Sequence, residues 1–240
     1  MNPHDGRGDQ DPPPSQVANV LPGVYQLPLT LSVAEMGLLL TFLDKLTSYC
    51  NSELDRKGFK WTVPRGREGS LFERTETDLS FLCPLQRPPE RFRLSGQIKF
   101  VRDNEMLCRE VYAIITSLLG QFRRALEHIG VSDAKKLSYF AFSLAADPHT
   151  PAQPVHRDFG TTKPSKYFTF LLPVSEGAEK TEFVVHDGFA SFPDIVMFHG
   201  NVEHRGPGTG AHHRLILSLV ASKAKMDANH AWATPFQFGD

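Results

Sequence analysis

Five short runs rich in aromatic and β-branched residues crowd the second half of the chain: LSYFAFSL, KYFTFLLPV, TEFVVHDG, DIVMFHG and RLILSLVAS. Turn-forming clusters of Gly, Pro, Asp and Ser separate them, which is the pattern of strands joined by loops. Regularly spaced short strands predict a mainly β domain of the jelly-roll type, since each sheet must bury a face against a second sheet or against helices. At 240 residues the chain is long enough for one such domain.

Two amphipathic stretches precede the strands. Ser32 and Glu35 have the S-x-x-E form of a capping box, and Met36, Leu39, Leu40, Leu43 and Leu46 recur at helical spacing, which predicts a helix over 32–50. Leu107, Val111, Ile114, Leu118, Phe122, Leu126 and Ile129 trace a longer stripe that stops at Gly130, in the position of a C-cap. These helices are expected to buttress the larger sheet. From Arg56 to Arg102 the chain reads as irregular, dense in Arg, Lys, Pro and Phe. Its basic and aromatic segment GFKWTVPRGREGSLFER is either a solvated loop with aromatic anchors or a substrate-contacting one. Residues 1–18 have almost nothing to bury and are expected to form a disordered tail. The remainder, 19–240, reads as one domain: a helical and irregular part over 19–136, a jelly-roll core over 137–222 and a C-terminal extension over 223–240.

Composition excludes several functions. Lys and Arg total 26 against 27 for Asp and Glu, so no global field draws the chain to nucleic acid or an anionic membrane. Cys50, Cys83 and Cys108 are odd in number and widely spaced, which argues against a disulfide framework and against a cysteine zinc site. No signal-peptide pattern and no apolar run of membrane-spanning length is present, and a cytoplasmic location is expected.

The stretch PVHRDFG holds the candidate chemistry. On a strand, His156 and Asp158 point to one face and Arg157 to the other. A third donor lies in FHGNVEHRGPGTGAHHRLILSLV, where either His199 or His204 could serve and Arg214 opens the last apolar run. Two imidazoles and one carboxylate on one side of an ion leave its other side open, the facial triad of non-haem Fe(II) oxygenases.

HRD, then His204, then Arg214 ten positions later resembles the HxD…H…R signature of the Fe(II)/2-oxoglutarate-dependent dioxygenases. TEFV and PDIVMFHGNVEHRGPG resemble that family's flanking segments, and the similarity covers roughly 137–222. The arginine offset and the HRGPG turn favour His204 over His199. The resemblance implies a double-stranded β-helix with Fe(II) held by His156, Asp158 and His204, with 2-oxoglutarate and O2 as co-substrates and ascorbate as a reductant. It implies that Arg214 pairs with the far carboxylate of 2-oxoglutarate, for which a planar guanidinium is suited. One branch of the family adds a serine two residues after the arginine; that position is Ile216, and Ser218, Tyr167 or Thr169 are candidates for the missing polar contact.

The implied activity is oxidation of a C–H bond, most simply hydroxylation, coupled to decarboxylation of 2-oxoglutarate to succinate and CO2. A small molecule or amino-acid derivative is the favoured substrate. Asp158 stands where related halogenases carry a small residue, and RLILSLVAS lacks the further arginine of AlkB-type nucleic-acid demethylases, which disfavours both activities. A protein or nucleic-acid hydroxylase of the same superfamily and a jelly-roll metal enzyme independent of 2-oxoglutarate remain as alternatives. His186, His212 and His213 read as surface histidines.

Overall fold

The structure, a computed structural model, describes residues 17–28, 31–56, 72–74, 79–82, 95–158, 167–175, 180–192, 195–212 and 214–222. Helix α1 (Val33–Arg56) starts where its capping box predicts. The Ser32 backbone N–H donates to Glu35 Oε2 at 2.8 Å, and the Glu35 N–H donates to Ser32 Oγ at 3.2 Å, so each residue satisfies a backbone donor of the other. Helix α3 (Glu105–His128) ends in a Schellman motif. Val131 N–H donates to Leu126 O and Gly130 N–H to Glu127 O, with Gly130 at φ +88°, a conformation that costs any residue with a Cβ. Between the two lies α2 (Ser95–Asp103), a helix inside the segment that the sequence presents as irregular.

The strands form two antiparallel sheets. β1 (Ala18–Leu21), β2 (Val24–Leu27), β3 (Phe72–Arg74), β4 (Leu79–Leu82), β5 (Ser138–Ala146), β6 (Tyr167–Pro173), β9 (Ile195–His199) and β11 (Arg214–Ser222) build the larger one, in the order β1-β2-β9-β6-β11-β5-β4-β3. β7 (Glu182–Val185), β8 (Gly188–Ala190) and β10 (His204–Arg205) build the smaller, in the order β10-β7-β8, and a bridge between His156 and His204 extends its outer edge. Every strand predicted from the five apolar runs is present. The β1–β2 hairpin was not predicted; it turns at Pro22-Gly23, where Gly23 has φ +77°, the sign a type II turn requires at its third residue.

Alternation along the central strands separates two cores. Leu215, Leu217, Leu219 and Ala221 of β11, with Phe168, Phe170 and Leu172 of β6, face the helices and pack with Leu39, Phe42, Leu43, Leu118 and Phe122. Ile216, Leu171, Val196, Phe198 and Val24 face the other way and meet Phe183 of β7 between the sheets. Both faces of β11 are therefore covered, and all nine of its residues are buried. The fold is mainly antiparallel β with helices laid on the larger sheet, as the strand pattern implies. Among the described residues no helix is long and apolar enough to cross a membrane. The expected tail falls outside the described residues except for Val17 and Ala18, and the C-terminal extension and most of GFKWTVPRGREGSLFER also lie outside them.

Candidate metal centre

His156 sits one bridge away from His204. Their backbones exchange both hydrogen bonds of an antiparallel pair, His156 N–H to His204 O at 2.9 Å and the reverse at 3.0 Å. A hydrogen-bonded pair puts both side chains on one face, and the two rings lie 4.6 Å apart between centroids. The face is the inner one, since His204 also packs against Phe198 and Phe183.

Both imidazoles are oriented in the same way. Nδ1 of His156 lies 2.9 Å from Pro154 O, and Nδ1 of His204 lies 3.0 Å from Val202 O. A carbonyl only accepts, so each Nδ1 carries a proton and each ring turns its Nε2 inward. Asp158 completes the set, with Oδ1 3.4 Å from His204 Nε2 and 3.9 Å from His156 Nε2. The three ligand atoms lie within 4.8 Å of one another. Thr169, buried on β6, donates to Asp158 Oδ2 at 2.6 Å, so one carboxylate oxygen is tied down while the other faces the imidazoles.

Electrostatics agree with a site shaped for a cation. Burial pushes the Asp158 carboxyl upward, but the hydrogen bond and charge of His204, the Thr169 hydroxyl and the charge of His156 outweigh it and hold the group below its ordinary range. For His204, burial pulls downward, and the Asp158 hydrogen bond and charge together with the Val202 carbonyl raise it above the ordinary histidine value. A site that stabilises a proton between an imidazole and a carboxylate also suits a divalent ion. Two lone-pair nitrogens and a carboxylate oxygen converging this way fit such a cation.

Arg214 is 4% exposed at the head of β11, where it pairs with Ala146 of β5. Its Nη1 donates to Pro207 O at 3.2 Å, and its guanidinium crowds the α-carbon of Gly206. Gly206 lies two residues after His204, just past the end of β10, about 7 Å away if the chain stays extended. A five-carbon diacid spans a comparable length.

The other candidates take distinct places. Thr169 opposes Val220 and holds Asp158, six positions along β11 from Arg214. Ser218, buried on the inward face of β11 between Arg214 and Val220, opposes Leu171 and Phe142. Tyr167 is half-buried at the start of β6, opposite Ser222. His199 shares the parity of Ile195 and Met197, so it faces the helix side and packs on Phe168 and Tyr25. His186 is exposed and lies 3.2 Å from Asp187, His212 is exposed, and His213 is outside the described residues. Sequence reasoning missed Gln153 and Gly206. Gln153 Oε1 accepts the Gly206 N–H at 2.6 Å, a relation between distant segments that no local pattern announces.

No protein-family model and no curated protein matches the sequence. Solved structures do match in fold. The dioxygenase for auxin oxidation 1 from Arabidopsis thaliana, in complex with 2-oxoglutarate, superposes with a TM-score of 0.55 at 14% identity over 85% of this chain and 84% of that one. The chain has the fold of the Fe(II)/2-oxoglutarate oxygenases. An oxygenase-type structure from Shewanella oneidensis superposes with a TM-score of 0.51, also at 14% identity, over 82% of this chain and 81% of that one. In this fold His156, Asp158 and His204 converge at the edge of the smaller sheet, and Arg214 shares the inward face of β11 with Ile216.

Proposed function

We propose that the protein is a non-haem Fe(II)- and 2-oxoglutarate-dependent oxygenase that oxidises a C–H bond of a small molecule or amino-acid derivative, with residues 19–240 forming its single domain. The observation that carries this reading is the convergence of His156 Nε2, His204 Nε2 and Asp158 Oδ1, with the buried Arg214 guanidinium beside Gly206, two residues after His204. The 2-oxoglutarate bound in the Arabidopsis structure of the same fold supports the choice of co-substrate.

His156, Asp158 and His204 would hold the iron, and Thr169 would keep the Asp158 carboxylate in its ligating orientation. Arg214 would grip the far carboxylate of the 2-oxo acid, while Ile216 and Leu171 keep water from the carbon chain between its ends. When bound, iron with 2-oxoglutarate and O2 supplies the oxidising power for a C–H bond, releasing succinate and CO2. Asp158 fills the third ligand position and leaves no room there for a halide.

The test is aerobic incubation with Fe(II), ascorbate and labelled 2-oxoglutarate against a library of amino-acid derivatives and small metabolites. Substrate-stimulated succinate is the expected product. Arg214→Met should raise the apparent 2-oxoglutarate constant by roughly two orders of magnitude, because removing one partner of a buried charge pair costs about 3 kcal/mol or more. Turnover without any 2-oxo acid would overturn the reading in favour of a jelly-roll metal enzyme of another kind.

A further inference from the structure

Pro154 leaves a gap in the ladder that shapes the pocket. Counting from the paired His156 and His204, the next hydrogen-bonded partners in regular register would be residues 154 and 206, but proline has no N–H to donate. Gln153 supplies what is missing. Its backbone N–H donates to Gly206 O at 2.9 Å, and its side-chain Oε1 accepts the Gly206 N–H at 2.6 Å. Both polar groups of Gly206 are thus held by one residue, and the register stays slipped by one beyond it, where Thr209 N–H donates to Thr150 O.

The same side chain meets Arg214. A Cβ built on Gly206 would lie 2.6 Å from Gln153 Oε1 and 2.7 Å from Arg214 Nη1, so the amide and the guanidinium flank the same α-carbon. Gly206 presents no side chain to separate them. Arg214 Nη1 also donates to Pro207 O, the next carbonyl along the chain. The position of the guanidinium therefore depends on where the 206–207 backbone sits, and Gln153 sets that position.

We infer that Gln153 is a positioning residue for Arg214, fixing the guanidinium for a dicarboxylate ligand; the inference rests on the reading of Arg214 as the grip on the far carboxylate. Gln153 acts through Gly206 and Arg214, and a contact of its own with the ligand is not required.

The test is calorimetric binding to the Mn(II)-loaded protein of 2-oxoglutarate and of 2-oxopentanoate, which has the same chain length without the far carboxylate. Gln153→Ala should weaken 2-oxoglutarate about tenfold and leave 2-oxopentanoate and Mn(II) binding unchanged, the size expected for loosening one charge-assisted contact. Gln153→Glu keeps an acceptor for the Gly206 N–H and so guards against loss of folding, but it sets a carboxylate against the guanidinium. It should weaken the diacid about a hundredfold and leave the monoacid unchanged. Equal losses for both ligands, or no loss for either in both variants, would overturn the role of Gln153 alone. A wild-type protein that does not prefer the diacid would overturn the Arg214 reading, and this inference with it.

Discussion

Gly206→Ala probes the pocket with a single methyl group. The added carbon would come closest to Arg214 Nη2, and it would lie 2.6 Å from Gln153 Oε1 and 2.7 Å from Arg214 Nη1. Ordinary contact begins at about 3.5 Å, so the guanidinium has to retreat by about 1 Å. It sits at the end of a flexible side chain, which lets the fold survive the substitution. What is lost is the alignment of the two N–H groups that would meet a carboxylate in parallel. Losing one charge-assisted hydrogen bond of such a pair costs about 1.5–3 kcal/mol, or roughly ten- to a hundredfold in affinity. Calorimetry on Mn(II)-loaded protein should record that loss for 2-oxoglutarate, with Mn(II) affinity retained and thermal unfolding still cooperative. A folded Gly206→Ala protein that binds 2-oxoglutarate as the wild type does would refute the placement of the carboxylate at Arg214.

His156→Ala, Asp158→Ala and His204→Ala should each lose Mn(II) or Fe(II) binding by calorimetry, whereas His199→Ala should retain it, because His199 packs on Phe168 and Tyr25 on the helix side. Loss of metal in the His199 variant would mean that the wrong histidine was chosen. Thr169→Val should weaken metal binding by about ten- to a hundredfold through the freed Asp158 carboxylate, and Thr169→Ser should restore most of it; equal affinity in Val and wild type would remove Thr169 from the site. Metal-free protein should melt highest in mildly acidic buffer. The raised His204 contributes fully below its ordinary 6.5 and loses that contribution as pH rises through the folded value, whereas the lowered Asp158 contributes above its ordinary 3.8 and loses it as pH falls through the folded value. A melting temperature that is flat between pH 4 and 8 in both wild type and His204→Gln would contradict this coupling.

The long elements were legible because their periodicity is long. The stripe from Val111 to Leu126 and the nine residues of β11 each bury enough apolar surface to stand out as a pattern. β8 and β10 have three and two residues, too few for any periodicity, and exist only because neighbouring strands offer them partners. α2 was hidden because its segment is rich in Arg and Pro. At the site, the donor types and their spacing were readable from HRD and the downstream histidines. The choice between His199 and His204 was also latent in IVMFH, where alternation puts the histidine with Ile195 and Met197. The tie between Gln153 and Gly206 was not readable, since it spans 53 positions and arises from a proline interrupting a ladder.

The β1–β2 hairpin has a consequence for how the chain can be cut. β2 pairs with β9 from Val24–Phe198 to Leu27–Ile195, and it thereby covers an apolar strand that would otherwise end the sheet. A shortened fragment that starts after Leu27 would leave the backbone groups of Ile195–Phe198 unpaired along that side, and Val196 and Phe198 without the packing of Val24. Such a border recruits strands from other molecules. Shortened versions of this protein should therefore fail first by precipitating during expression, with the metal ligands all still encoded.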